Sequence, residues 1–137
     1  MCFFRNSKVH KNMKDMKYLK PNFQNEWQNA EKMPEFHGME KKEWADFAAQ
    51  GYQVKLNEVI NSIQNMDFCD ICPKKRAIVQ NQIANGELEI PVLAKLDEEK
   101  YEVISGKTRI CELLKKNLNP PVWIVDLSSL MFLVRPV

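Results

Sequence analysis

The chain predicts an α+β domain, on three observations. Apolar residues recur at helical spacing between positions 22 and 48. Runs at 90–94 and 101–105 are rich in β-branched, aromatic or small residues, as strands prefer. At Gly106 a strand-like run passes straight into a helix-like one. The 137 residues are enough for one core, so a single domain over residues 21–137 is expected, preceded by a basic arm over residues 1–20.

The elements follow in chain order. After Pro21, Phe23, Trp27 and Ala30 stand four and three apart, which predicts a short amphipathic helix within residues 22–33. Trp44, Phe47 and Ala48 repeat the pattern over residues 39–48, and Gly51 ends it. Both aromatic stripes are expected in the core; the alternative is that Trp27 or Trp44 stacks on a nucleotide base or on single-stranded DNA. From 74 to 84, Ala77, Ile78, Ile83 and Ala84 mark a helix that Gly86 closes, and Ile90, Pro91, Val92, Leu93 and Ala94 start a strand.

The most informative stretch is 101–114. Tyr101, Glu102, Val103, Ile104 and Ser105 read as a strand, whereas Ile110, Leu113 and Leu114 recur at helical spacing, so Gly106 sits at the turn. A helix N-terminus offers free backbone N–H groups and a partial positive charge, and here Lys107, Thr108 and Arg109 add two cations and a hydroxyl. With Ser105 and Gly106 they form a candidate phosphate-binding corner. Arg109, as a turn residue, is expected at the surface with little packing of its own. The corner is not a P-loop. Gly106-Lys107-Thr108 supplies the second half of G-x-x-x-x-G-K-[ST], but Tyr101 stands where its first glycine belongs, and without a glycine-rich loop no backbone cradle wraps a β-phosphate.

Taken as strand, G-x-x-R, helix and then the strand Pro121-Val122-Trp123-Ile124-Val125, the segment resembles the ParB/sulfiredoxin family. The order upstream is similar too: a first strand and short segment over 54–60, a loop to Pro73, a helix, a glycine turn, a strand carrying Pro91-Val92, a hairpin and the G-x-x-R turn. The likeness covers residues 54–127. It implies a small mixed sheet flanked by helices, to which residues before 54 add a helical N-terminal extension. It also implies that Gly106 to Arg109 bind the phosphates of a nucleotide. The chain departs from sulfiredoxins, which place a catalytic cysteine where Lys107 stands, and this argues against sulfinic-acid reduction. It also lacks the longer arginine-rich turn and helix-turn-helix domain of chromosome-partitioning ParB proteins. The stripped-down turn is similar to that of small ParB-like proteins of bacteriophage genomes.

The resemblance implies ATP or another nucleoside triphosphate as ligand, Mg²⁺ as its companion, and ATP hydrolysis, coupled to DNA or not. The alternatives are a metal-dependent DNase and a non-catalytic DNA-binding module, since fold alone does not choose. Lys107 and Arg109 would neutralise phosphoryl oxygens, and a carboxylate is needed beside them. Asp67, Asp70 and Glu58 are the candidates, in or beside the loop that in family members faces the turn. Lys74, Lys75 and Arg76 open the preceding helix and would add charge to the same cleft, against the helix dipole.

Charge and cysteines say less. The formal net charge of +2 is too mild to demand a nucleic-acid partner. Yet Arg5, Lys8, Lys11, Lys14, Lys17 and Lys20 face one acid, Asp15, in the first twenty residues; the stretch reads as a solvated terminus or as a DNA-phosphate arm. Cys69 and Cys72 form a C-x-x-C, but Cys2, Cys111, His10 and His37 give no second ligand pair, so no metal site is expected. Cys69 and Cys72 are therefore expected to be inert reduced thiols; because the motif precedes a predicted helix, which can lower a thiolate pKa, a redox dithiol is an alternative, as is a metal site. Cys111 is expected in the core. The longest apolar run, residues 130–134, is far short of a membrane span, and residues 1–5 lack a secretory h-region. Residence in the cytoplasm, that of a host cell for a phage protein, is the default expectation.

Overall fold

The computed structural model describes residues 16–66 and 73–128. Among them are helices α1 (Phe23–Ala30), α2 (Lys41–Ala49), α3 (Pro73–Ala84) and α4 (Lys107–Lys115). The strands are β1 (Lys17–Leu19), β2 (Tyr52–Lys55), β3 (Glu87–Glu89), β4 (Val92–Asp97), β5 (Lys100–Ser105) and β6 (Pro121–Asp126), which together make an α+β fold.

The main sheet has the order β2-β6-β4-β5. β4 and β5 form an antiparallel hairpin; α4 then carries the chain over to β6, which lies parallel to β4 and antiparallel to β2. Alternation along the strands sorts side chains onto two faces. Val92, Ala94, Ile104 and Val125 point to one, where they pack with Ala30, Phe36, Trp44 and Ala48 of the α1–α2 region. Leu93, Tyr101, Val103, Val122 and Ile124 point to the other, against Leu56, Val59 and Ile110. The sheet is thus a middle layer, which is why its strands are apolar on both faces. α3 lies outside α4, with Val79 and Ile83 meeting Leu113, Met16 and Leu88.

Both aromatic stripes enter this packing. Trp44 is fully buried, edge-on to Phe36 at 5.0 Å between ring centroids, and its indole N–H donates to the Phe23 carbonyl at 2.6 Å. Trp27 stands 6.5 Å from Trp44. The Trp123 indole donates to the Ala48 carbonyl at 2.8 Å, tying the end of α2 to β6. Gly51 makes that approach possible: a Cβ there would lie 2.1 Å from the Ile124 carbonyl oxygen.

Three boundaries differ from the sequence expectation. The strand expected within 54–60 is instead β2 at Tyr52–Lys55, because the Glu58 carboxylate accepts from the Lys55 amide at 2.9 Å and the chain winds into short 3₁₀ turns at Leu56–Glu58 and Ile60–Ser62. β4 starts at Val92, one residue past Pro91, whose ring leaves no amide for a ladder. Lys17–Leu19, within the expected arm, pairs in parallel with Glu87–Glu89 as a second small sheet.

Candidate functional site

The corner is built from the backbone outward. β5 ends at Ser105, and Gly106 takes the left-handed conformation, φ +105°, where a Cβ would also lie 2.8 Å from that of Pro91. Glycine is therefore required by both conformation and space. Without a side chain, Gly106 cannot cap the helix it opens, and the first turn of α4 holds no acid. The first-turn amides thus present a partial positive charge with no side chain set against it.

Arg109 is not the loosely held surface residue that its place in a turn suggests. Its Nη1 donates to the Glu89 carbonyl at 2.7 Å and lies 3.4 Å from that of Ile90, while Nη2 donates to Ser105 Oγ at 2.8 Å. One guanidinium so joins the end of β3, the end of β5 and the start of α4. Burial pushes its pKa below the usual arginine value, against the pull of the Glu26 and Glu89 carboxylates.

A cavity of about 440 Å³ opens at this corner. Ser105, Gly106, Lys107, Thr108 and Arg109 line one side, and Lys75, Ile78 and Gln82 of α3 line another, with Asn29 of α1. This size suits a small-molecule ligand. Lys75, Ile78 and Gln82 stand three and four apart and share a helix face, so α3 lays a cation, an apolar side chain and an amide along about 10 Å of wall. Ile78 is 60% exposed, unlike Val79 and Ile83 on the core face. Sequence reasoning took Ile78 only as a marker of the helix, although its offset from Val79 and Ile83 was there to be read.

The other candidates fall elsewhere. Lys74 is exposed and does not line the cavity. Arg76 turns toward α4, with Nε 3.4 Å from Glu112 Oε2. Glu112 also binds Gln80 Nε2 at 3.0 Å and Lys115 Nζ at 3.2 Å. Burial would raise its pKa, but these bonds and the Lys115 and Arg76 charges hold it below the usual carboxylate range. Glu58 caps its own turn and does not line the cavity. Asp67, Asp70, Cys69 and Cys72 lie outside the described residues, as does residue 15 and everything before it in the arm. Of the arm's described cations, Lys17 is in β1 and Lys20 sits 5.2 Å from the Trp123 ring centroid. Cys111 is buried.

Two acids that sequence reasoning passed over lie behind Arg109. Glu26 of α1 is 6% exposed, and Glu89 is half-buried on β3. Burial pushes the Glu89 pKa up; Arg109 draws it down, and the neighbouring Glu26 carboxylate raises it again. No signal in the sequence joins them, because α1, β3 and α4 meet only through tertiary packing. Among the described residues no group of three or more His, Cys, Asp or Glu side chains converges as a metal would need, and the cavity lining carries no carboxylate. No helix among the described residues is long and apolar enough to cross a membrane. Compared with known protein families, curated proteins and solved structures, the chain matches none.

Proposed function

We propose that this chain is a nucleotide-binding protein with a ParB/sulfiredoxin-like fold, holding the phosphates of ATP or another nucleoside triphosphate at the N-terminus of α4. One observation carries this reading: Lys75 of α3 lines the same cavity as the Gly106-Lys107-Thr108-Arg109 turn, so cations from two helices converge on uncapped amides. Phosphate oxygens accept from the first-turn amides and the Thr108 hydroxyl, with Lys75 and Lys107 balancing their charge. The base lies along Ile78, within reach of the Gln82 and Asn29 amides.

A Mg²⁺ ion bound with the nucleotide would be held mainly by the phosphates, in keeping with its preference for few protein ligands, and would serve to neutralise their charge. Of the described lining, Thr108 brings a hydroxyl oxygen and no residue brings a carboxylate. Hydrolysis of ATP needs a carboxylate to orient water, and Asp67 and Asp70 are the proposed sources. The DNase and DNA-binding readings would draw on the exposed Lys17 and Lys20, on the arm's cations outside the described residues, and on Lys74, Lys75, Arg76 and the G-x-x-R cleft.

The test is a thermal-shift panel of ATP, CTP, GTP, ADP and inorganic tripolyphosphate, each with and without Mg²⁺. A ligand that binds only the folded state and is present at one hundred times its Kd stabilises by about 2.7 kcal/mol, enough for a shift of several degrees. At least one triphosphate is expected to give it; no shift with any of them at millimolar concentration would overturn the reading.

A further inference from the structure

Arg109 lines the cavity, yet its guanidinium is bonded back into the protein. Nη1 donates to the Glu89 carbonyl at 2.7 Å and lies 3.4 Å from that of Ile90, while Nη2 reaches Ser105 Oγ at 2.8 Å. A Cβ on Gly106 would stand 3.2 Å from the Arg109 Cζ, so the guanidinium lies directly against the turn, where only a glycine leaves it room. To swing out to a ligand it would have to strip a part-buried carbonyl of its donor.

The consequence falls on Ser105. A serine hydroxyl offers one proton and two lone pairs, and it turns freely until a partner fixes it. Here a cation donates into one lone pair, so the hydroxyl proton is driven away from Arg109, and no protein group among the described residues accepts it. Ser105 lines the cavity, one residue before the Gly106 that cannot cap α4. In the unliganded site the proton meets solvent; in the occupied site it meets the ligand. We propose that Ser105 is an anion-binding residue whose hydroxyl is held as a donor toward the bound phosphate by Arg109, which is a positioning residue and not itself a phosphate ligand. A hydroxyl polarised by a guanidinium also donates more strongly than a free one, because linked hydrogen bonds polarise one another. With the Thr108 hydroxyl, the Lys75 and Lys107 ammonium groups and the first-turn amides, Ser105 completes a set made of donors. Such a set fits an oxyanion whose contacted oxygens carry no proton, as along the chain of a nucleoside triphosphate.

The role of Ser105 rests on the anion-binding reading of the corner, and a double-mutant cycle separates the two. ATP affinity is measured by calorimetry for the wild type, Ser105→Ala, Arg109→Lys and the double variant, with Ser105→Thr as the conservative replacement. Ser105→Ala should weaken binding about tenfold, the scale of one charge-assisted contact, and Ser105→Thr, which keeps the hydroxyl, should recover most of that loss. Arg109→Lys keeps the charge but not the fork. It should weaken binding about tenfold on its own and by no more than about twofold once residue 105 is alanine, because its effect passes through the hydroxyl. Equal losses in both backgrounds would show that Arg109 touches the anion itself, and would overturn the proposal while leaving nucleotide binding standing; so would a Ser105→Ala variant that binds ATP as tightly as the wild type. Absence of ATP binding by the wild type overturns both. Nitrogen NMR of the Arg109 guanidinium in the wild type keeps the test independent of how the variants fold. Its Nη protons should be as protected from exchange with inorganic tripolyphosphate bound as without it, and an Nη proton that transfers its bond to phosphate would refute the proposal.

Discussion

Lys75 and Arg76 are neighbours in sequence, on the same turn of α3, and meet opposite fates. Arg76 turns to Glu112, where Gln80 and Lys115 join it in a compact group whose charges compensate one another. Lys75 turns to the cavity, whose lining it shares with Lys107, Thr108, Arg109 and an uncapped helix terminus, and to which no described residue brings a carboxylate. The two ends of α4 thus show two settings of charge in this fold: at the C-terminal end it joins α3 to α4, and at the N-terminal end it faces the cavity with no carboxylate of the described residues set against it. A basic run at a helix start looks uniform in sequence; the 100° step between successive residues divides it.

The sharpest way to break this comparison is to remove the residue that belongs to both regimes. Arg109→Ala should cost about 2–4 kcal/mol in urea denaturation, since it strips donors from buried carbonyls at the end of β3, and should abolish triphosphate binding as well. A variant as stable as the wild type would show that the guanidinium bonds contribute nothing. Glu112→Gln comes next. It keeps the Gln80 contact but removes the charge that Arg76 and Lys115 share, at a cost of about 1 kcal/mol near neutral pH, because both partners are more than a third exposed. The sign with pH is fixed: the folded-state pKa of Glu112 is depressed, so its contribution is present above the unfolded value near 4.3 and is lost as pH falls through the folded value. The acid limb of the wild-type stability curve should accordingly be steeper than that of Glu112→Gln. Smallest in stability, Lys107→Ala should stay within about 0.5 kcal/mol of the wild type, because Lys107 is an exposed helix-start residue. Its triphosphate affinity should nonetheless fall about tenfold, by the scale of one charge-assisted contact. Unchanged affinity for ATP in Lys107→Ala would place the anion elsewhere.

Much of the corner was legible because local signals agree there. β-branched residues stop, a glycine follows and helical spacing begins, so β5, Gly106 and α4 were assigned from sequence with boundaries close to those observed. Lys75 was legible as a member of a basic run, but its separation from Lys74 and Arg76 was not. The Glu26, Asn29 and Glu89 surroundings were hidden for a different reason: each residue is ordinary in its own segment, and only the packing of α1 on the sheet brings them to Arg109. β1 escaped notice because Lys17-Tyr18-Leu19 is too short to show alternation and is held by its partner β3 rather than by its own composition.

The position of β6 bears on the order in which the protein can be made. Among the described residues it is the last strand of the main sheet to be synthesised, yet it occupies an interior place, with β2 on one side and β4 on the other. A chain emerging from the ribosome can close the β4–β5 hairpin early, but β2 has no neighbour in that sheet until Pro121–Asp126 has left the exit tunnel. During that interval β2 and one edge of β4 stand open, the circumstance in which nascent chains pair wrongly with one another. The helices find their full packing surface at the same late moment, because β6 fills the gap between β2 and β4 and supplies Val125 to the face packed with α1 and α2 and Val122 and Ile124 to the face packed with Ile110 of α4.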